Sequence, residues 1–266
     1  ATSDLTPPNL DFTSAQTTDK YAKGFSDTQG APTTGSSGLV ISQVYTNGGN
    51  GSGYTYGRDF VELFNRGVRP ISVSGMSIQY KNNNSGTWSK GDLPSTTVQP
   101  GRYFLVELGG QTTPALPAPD ATFTGISMAA TSARIALVNS VTTLTCFQNC
   151  SSVTSIIDLV GIGPTPNDSE TAPTSGTASN ITAFRRKSAG CVDSNNNSAD
   201  FELATVLARN STTTSNECHT GFWAMKADVG ATTHHGLAIR PGINEFTGAT
   251  APGDQLFLRL ETTTGK

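Results

Sequence analysis

The chain has 266 residues with 28 Gly, 14 Pro, 14% charged residues and a formal net charge of −3. So slight a charge provides no broad positive field for nucleic acid, and no run reaches the ~18–20 apolar residues of a membrane helix. Glycine, threonine, serine and asparagine in this supply suit short strands and tight turns, which excludes a helical bundle.

Residues 1–37 are polar. Leu5, Leu10, Phe12, Tyr21 and Phe25 recur there at no fixed period, the pattern of an extended N-terminal arm. The chain opens at Ala1 rather than Met, as a mature protein does once a signal peptide is removed. Strand signals start at residues 39–45 (Leu-Val-Ile-Ser-Gln-Val-Tyr), followed by a glycine-rich turn at 46–53. Residues 59–65 alternate, with Val61 and Leu63 on one face and Phe60, Glu62 and Phe64 on the other. Residues 71–80 carry Gly75 at their middle, where a bulge or bend is expected. Pro100-Gly101 turns the chain into a strand at 103–108, and runs at 134–138, 155–160 and 183–186 follow. Strands this short between turn residues predict an antiparallel sandwich. Arg185-Arg186-Lys187 is the one tight basic cluster and reads as a solvated face, with too few charges for nucleic acid.

Four cysteines make an even set. Only Cys146 and Cys150 approach zinc-ligand spacing, and His219 adjoins Cys218 too closely for easy joint ligation. Two disulfides are therefore expected, Cys146–Cys150 as a tight clip and Cys191–Cys218 as a longer staple. Such crosslinks belong to an oxidising space, so the chain is expected to be secreted, extracellular or at the cell surface. Asn-x-Ser/Thr sequences at Asn83, Asn149, Asn167, Asn180, Asn196 and Asn210 fit exposed polar loops, but chance alone produces several in this composition.

In their order these runs resemble the lamin tail domain family in its bacterial secreted form, whose fold is an immunoglobulin-like β-sandwich. The resemblance is carried by residues 39–45, 59–67, 71–80, 98–106, 157–163 and 193–201, and extends over about 38–212. Gln43 stands where the family often has Glu, and Met76 where it often has Trp. The resemblance implies an immunoglobulin-like antiparallel sandwich; with it the chain reads as all-β, the sandwich over 38–218, and an arm at 1–37 and a C-terminal β extension at 219–266 outside the resemblance. It implies a binding or scaffolding module, and it has no catalytic residues to carry over.

One loop resembles a cation site. Asp193, Asn195, Asn197 and Asp200 set oxygen-bearing side chains near alternate positions, a set that would suit calcium. An EF-hand would need Gly after the third ligand and Glu at the twelfth position, where this chain has Ser198 and Ala204. The competing reading is an Asx-turn loop ahead of the strand at Phe201. His234 and His235, with His219, make a poor metal site, because neighbours on a strand point to opposite faces. No Gly-x-Ser-x-Gly occurs, and the three histidines all follow residue 218, so a serine hydrolase is not indicated. Glu62 and Glu107 are the carboxylates to weigh for glycoside cleavage, although both lie within strand motifs. Residues 48–53 are glycine-rich but lack the Lys-Ser/Thr of a phosphate loop, and read as a hairpin tip.

Beyond the second staple come Phe222, Trp223 and Met225, which could cap the sandwich. Residues 254–261 alternate, with Leu256, Leu258 and Leu260 on one face, to be buried in the chain's own sheet or in the next subunit. The expectation is a secreted, non-catalytic structural protein: a self-associating subunit (homo-oligomer or filament) of an extracellular fibre, sheath or coat. The alternative is a monomeric module, calcium-assisted or not, that attaches to glycan or cell envelope.

Overall fold

The computed structural model describes residues 38–67, 70–82, 87–148, 150–163, 168–216 and 218, and the backbone of 222–229 and 232–239. The chain divides into two compact units, Thr33–Cys218 and the combination of Ala1–Pro32 with His219–Lys266.

The first unit is an all-β sandwich. One sheet has six strands in the order β12 (Phe201–Thr205), β11 (Thr182–Arg186), β1 (Leu39–Tyr45), β2 (Arg58–Asn65), β7 (Tyr103–Gly110) and β8 (Ala121–Thr122). The other has four, in the order β10 (Ile156–Ile162), β9 (Ala133–Val138), β4 (Ser77–Asn82) and β5 (Ser89–Asp92). All these pairings are antiparallel except β7 with β8. Gly75 breaks the expected 71–80 strand at φ +79, a conformation an L side chain rarely adopts. The halves part company there: β3 (Ile71–Ser72) pairs with β6 (Thr97–Val98), while β4 joins the four-stranded sheet. Gly101, at φ +69, makes the turn after Pro100 that launches β7.

Alternation on β2 places the core. Val61 and Leu63 face inward and meet Ile78, Ile135, Leu137, Val160 and Ile162 from the opposite sheet. The outer faces are covered as well. Phe60 lies with Tyr45, Leu105, Val206 and Ala208 in a second apolar cluster, and Phe64 stacks on Tyr103 at 4.8 Å. Over the four-stranded sheet runs the loop 139–153, held by successive polar side chains of one face of β4. Ser77 Oγ donates to the Ser140 carbonyl (2.6 Å), Gln79 Nε2 to that of Thr142 (2.9 Å), and Lys81 Nζ to that of Cys146 (3.2 Å). Backbone carbonyls of the loop thereby find side-chain partners on the sheet.

In the second unit, β13 (Phe222–Val229) and β14 (Thr232–Ile239) form an antiparallel hairpin that pairs Lys226 with His235 and Ala227 with His234. The arm at 1–37, His219 and the row Leu256, Leu258 and Leu260 lie outside the described residues.

Candidate functional site

Two acids, Asp59 and Asp158, sit where strand pairing slips by a residue. Register shifts fall between Arg58 and Phe60 on β2, between Ile156 and Asp158 on β10, and between Ile41 and Gln43 on β1. Such bulges release backbone groups from the ladder and re-aim side chains. On β1 the shift leaves the Ile41 N–H to donate to Asp158 Oδ2 across the sandwich (2.6 Å), and the Ile41 carbonyl to accept from Arg186 Nε (2.9 Å).

Arg186 is fully buried at the end of β11, where a solvated face was expected; its strand parity points it into the gap between the sheets. Its Nη2 donates to both Asp158 oxygens (3.0 and 2.8 Å), and its Nη1 lies 3.1 Å from Asp193 Oδ1 and 3.3 Å from Asp200 Oδ2. Arg66 Nη1 takes the other Asp193 oxygen at 2.8 Å, and its Nη2 donates to the Cys191 carbonyl. Two members of the predicted calcium set, Asp193 and Asp200, are thus brought together. Asn197 joins them through Glu170, donating its Nδ2 to Glu170 Oε2 (3.1 Å) and accepting the Glu170 N–H at its Oδ1 (3.3 Å), whereas Asn195 stays exposed. Asn197 also accepts from the Gly161 N–H (2.9 Å) and donates to the Leu159 carbonyl (2.9 Å), which fixes the loop to β10, while Asn195 adopts φ +55. The Asx-turn reading holds in part: Asn196 caps the short helix α1 (Asn197–Asp200) by accepting from the Ala199 N–H.

Glu170, from a distant loop, completes the acid cluster. Its carboxylate and those of Asp193 and Asp200 place oxygens within 4.8 Å of one another. Counting Asp158, four carboxylates face two guanidinium groups, an excess of two negative charges when all are ionised. Burial, followed by repulsion from Asp158, pushes the Glu170 carboxyl up to about 9, so it is neutral at pH 7. The site can relieve its excess charge by binding protons or by admitting a divalent cation among hard oxygen ligands. The sequence reading missed Glu170, Asp158 and Arg66. Asp158 did leave a signal, since an acid inside the apolar run at 156–160 calls for a buried cation.

A second buried ion pair lies on the outer face of the six-stranded sheet. Glu62 Oε1 accepts from Arg209 Nη2 (2.6 Å) and Ser42 Oγ (2.5 Å), and Oε2 accepts from Arg209 Nε (3.0 Å) and the Arg209 backbone N–H (2.9 Å). With its lone pairs filled and no exposed surface, Glu62 is an anchor and has no room to act as an acid or base. Glu107 lies on the same strand pairing but faces Arg58, 3.9 Å away. The pair does not form the convergent carboxylates of a glycosidase.

Glu62 is one of several anchors for a strap, residues 206–216, laid across β1, β2 and β7. Gln43 Nε2 donates to the Leu207 carbonyl (2.6 Å) while its Oε1 accepts the Leu207 N–H (3.1 Å). A carboxylate at position 43 would supply no donor, which gives a physical reason for Gln in place of Glu. Arg209 lies 3.8 Å over the Tyr103 ring and donates to its hydroxyl (2.7 Å). Asp120 accepts from the Ser211 N–H (3.0 Å), and Arg102 Nη1 donates to the Thr213 carbonyl (2.7 Å). Beyond the strap the disulfide Cys191–Cys218 closes, with Cα atoms 5.3 Å apart; Cys146–Cys150 closes likewise at 5.5 Å. Both expected pairings form. Asn210, within the strap, is buried and donates its amide to the Ala118 carbonyl, which removes it from the exposed-loop sequons.

Asp59, the acid at the β2 shift, accepts from the Gly48 N–H and the Met128 N–H (both 2.9 Å) and ties two loops together. Burial raises its carboxyl to about 6 against the pull of these two donors. The glycine-rich turn is thus a hairpin connection pinned by Asp59, as its lack of a Lys-Ser/Thr pair implied.

Residues 32–158 match the family model described as Lamin Tail Domain, a domain type that is typically non-catalytic. The match holds the strands from β1 to the start of β10, so the Asp193–Asp200 loop and the strap lie past its end. Among solved structures, a DUF4876 family protein from Bacteroides thetaiotaomicron VPI-5482 is similar at 11% identity and a TM-score of 0.46, covering 69% of this chain and 75% of that one. No curated protein matches the chain.

Proposed function

We propose that this lamin-tail-type sandwich is a secreted, non-catalytic structural protein, a self-associating subunit of an extracellular fibre, sheath or coat. The arm at 1–37 and the Leu256, Leu258 and Leu260 row are the segments read as reaching a neighbour. The observation that carries this reading is the edge strand β12. Among the described residues it pairs with β11 on one side only, exposes Leu203 (40%), and is flanked by exposed Ile181 (54%) and Leu207 (49%). An apolar sheet edge of this kind is a template for added strands unless something covers it. Two disulfides favour the oxidising location. Negative-stain imaging and size-exclusion chromatography of the full chain, a 1–37 deletion and Leu203→Lys test it. Loss of assembly in either variant is expected. A native monomer, or assembly unchanged in both, overturns the reading.

The convergence of Glu170, Asp193 and Asp200 favours a second reading, a calcium-assisted module that binds glycan or envelope. Because Glu170 is neutral at pH 7, calcium would displace its proton, and affinity would rise as pH is raised toward 9. Calorimetry of calcium binding in buffers of different ionisation enthalpy detects that release. No heat at millimolar calcium removes this reading.

A further inference from the structure

We propose that the cleft between the β6 turn and the strap binds a carboxylate-bearing saccharide, with Arg102 as the group that recognises the anion. The cleft holds about 510 Å³, within the ~300–1,000 Å³ typical of small-ligand sites. One wall is the turn bearing Thr96 and Gln99, and the other is the strap at Ser211 and Thr212; all four are exposed. The floor is Arg102 and Tyr103, at the edge of β7.

Strand parity opens that edge to a ligand. The Leu105 N–H donates to Asp120 Oδ2 (2.7 Å) and its carbonyl accepts the Asp120 N–H (2.8 Å), while Glu107 accepts from the Phe123 N–H. Tyr103 has the same parity, so its N–H and carbonyl turn to the same side, into the cleft. The pairing of β8 starts only at Val106. Asp120 closes the edge two residues after Tyr103, which leaves too short a stretch for an extended peptide to add as a strand.

The chemistry of the lining selects the ligand. Tyr103 presents no ring face, because Phe64 stacks on it and Arg209 lies over it. Phe104 is turned into the core. Hydroxyls, one carboxamide, a backbone amide and the Asp120 carboxylate remain, the last already accepting from Ser211 and the Leu105 N–H. This mixed set of donors and acceptors suits a hydroxyl-rich molecule. Arg102 adds a half-buried guanidinium whose Nη1 is tethered to the Thr213 carbonyl. The tether fixes the fork so that its other edge meets a carboxylate with little loss of rotamer freedom. The strap anchors at Gln43, Glu62 and Asp120 hold the second wall in place, which is pre-organisation of the cleft.

The site stands apart from the assembly reading, since it uses neither β12 nor residues 1–37. The full chain is titrated with trigalacturonate by calorimetry, with neutral maltotriose and a blocked pentapeptide as comparison probes. Trigalacturonate is expected to bind, Arg102→Ala to weaken it by about tenfold or more, and maltotriose to bind weaker by a similar factor. Gln99→Ala, on an exposed side chain that anchors nothing, is expected to weaken it about threefold and keeps the test valid if Arg102→Ala loosens the strap. No binding by the wild type at millimolar trigalacturonate overturns the proposal, as does equal binding by wild type and both variants. Binding of the pentapeptide in place of the saccharide does so too.

Discussion

Replacing Arg186 by Met removes the cation from among Asp158, Asp193 and Asp200 while keeping much of the volume. The guanidinium makes hydrogen bonds to all three carboxylates and to the Ile41 and Val192 carbonyls, and lies 4.6 Å over the Phe201 ring. Removing one partner of such a buried network costs ~3–5 kcal/mol, chiefly because the remaining charges stay buried. Protonation sets a ceiling on that cost. A carboxyl with an ordinary pKa near 4 can be neutralised at pH 7 for about 4 kcal/mol, and at pH 5 for about 1.4 kcal/mol. In the variant the folded-state carboxyl pKa values rise above their unfolded values, so the folded form binds more protons and gains stability as pH falls. A destabilisation of about 4 kcal/mol at pH 7 is therefore expected to shrink to about 1.4 kcal/mol at pH 5. Urea unfolding, followed by the buried Trp88 in a Trp223→Phe background, measures it. A loss below about 1 kcal/mol at pH 7, or one independent of pH, refutes the electrostatic account of this centre.

Glu62→Gln turns a donor toward the N–H groups of Arg209 and leaves that guanidinium uncompensated, so a loss of ~3 kcal/mol or more is expected, with proteolytic cutting inside 206–216. Asp59 has a folded-state value of about 6 against 3.8, so its contribution to stability is highest below about pH 4 and declines as pH rises through 6. In Asp59→Asn that slope between pH 4 and 6 flattens in thermal unfolding curves, and an unchanged slope counts against the assignment. Cys218→Ser opens a 27-residue separation; the chain-entropy relation gives a loss of about 3.5 kcal/mol, read as a lower urea midpoint for the sandwich.

The strands were legible because their patterns are local. Residues 39–45 and 103–108 coincide with β1 and most of β7, and Gly75 announced the break between β3 and β4. The strand β5, Ser-Lys-Gly-Asp, was not legible. It carries no β-branched or aromatic residue and exists because Gly91 lets the Phe123 ring lie against its backbone, which no local pattern encodes. The acid cluster was half legible for the same reason. Asp193 and Asp200 are neighbours in sequence, whereas Glu170 and Asp158 reach them only through the sandwich. Arg186 was misread because a run of three basic residues hides which of them faces the core.

The Arg186 centre and the Glu62–Arg209 pair share one architecture, and it bears on why the sequence tolerates them. Each sits where a segment without strand partners crosses a sheet: the 191–200 loop over the end of β11, and the strap over β1, β2 and β7. Such segments bring unpaired backbone groups into a dry setting, where an apolar side chain could give adhesion but could not satisfy the backbone. A carboxylate serves both needs, since Glu62 holds the Arg209 side chain and its N–H together, and Asp200 holds Arg186 along with the Ser194 N–H. Geometry of this kind fixes a loop in one register, where apolar contact alone would let it slide. The same registration that closes the strap over the sheet also determines where Ser211 and Thr212 stand across from Arg102. A cleft lined by loops can thus be as well defined as one built on strands, provided its anchors remain charged and buried.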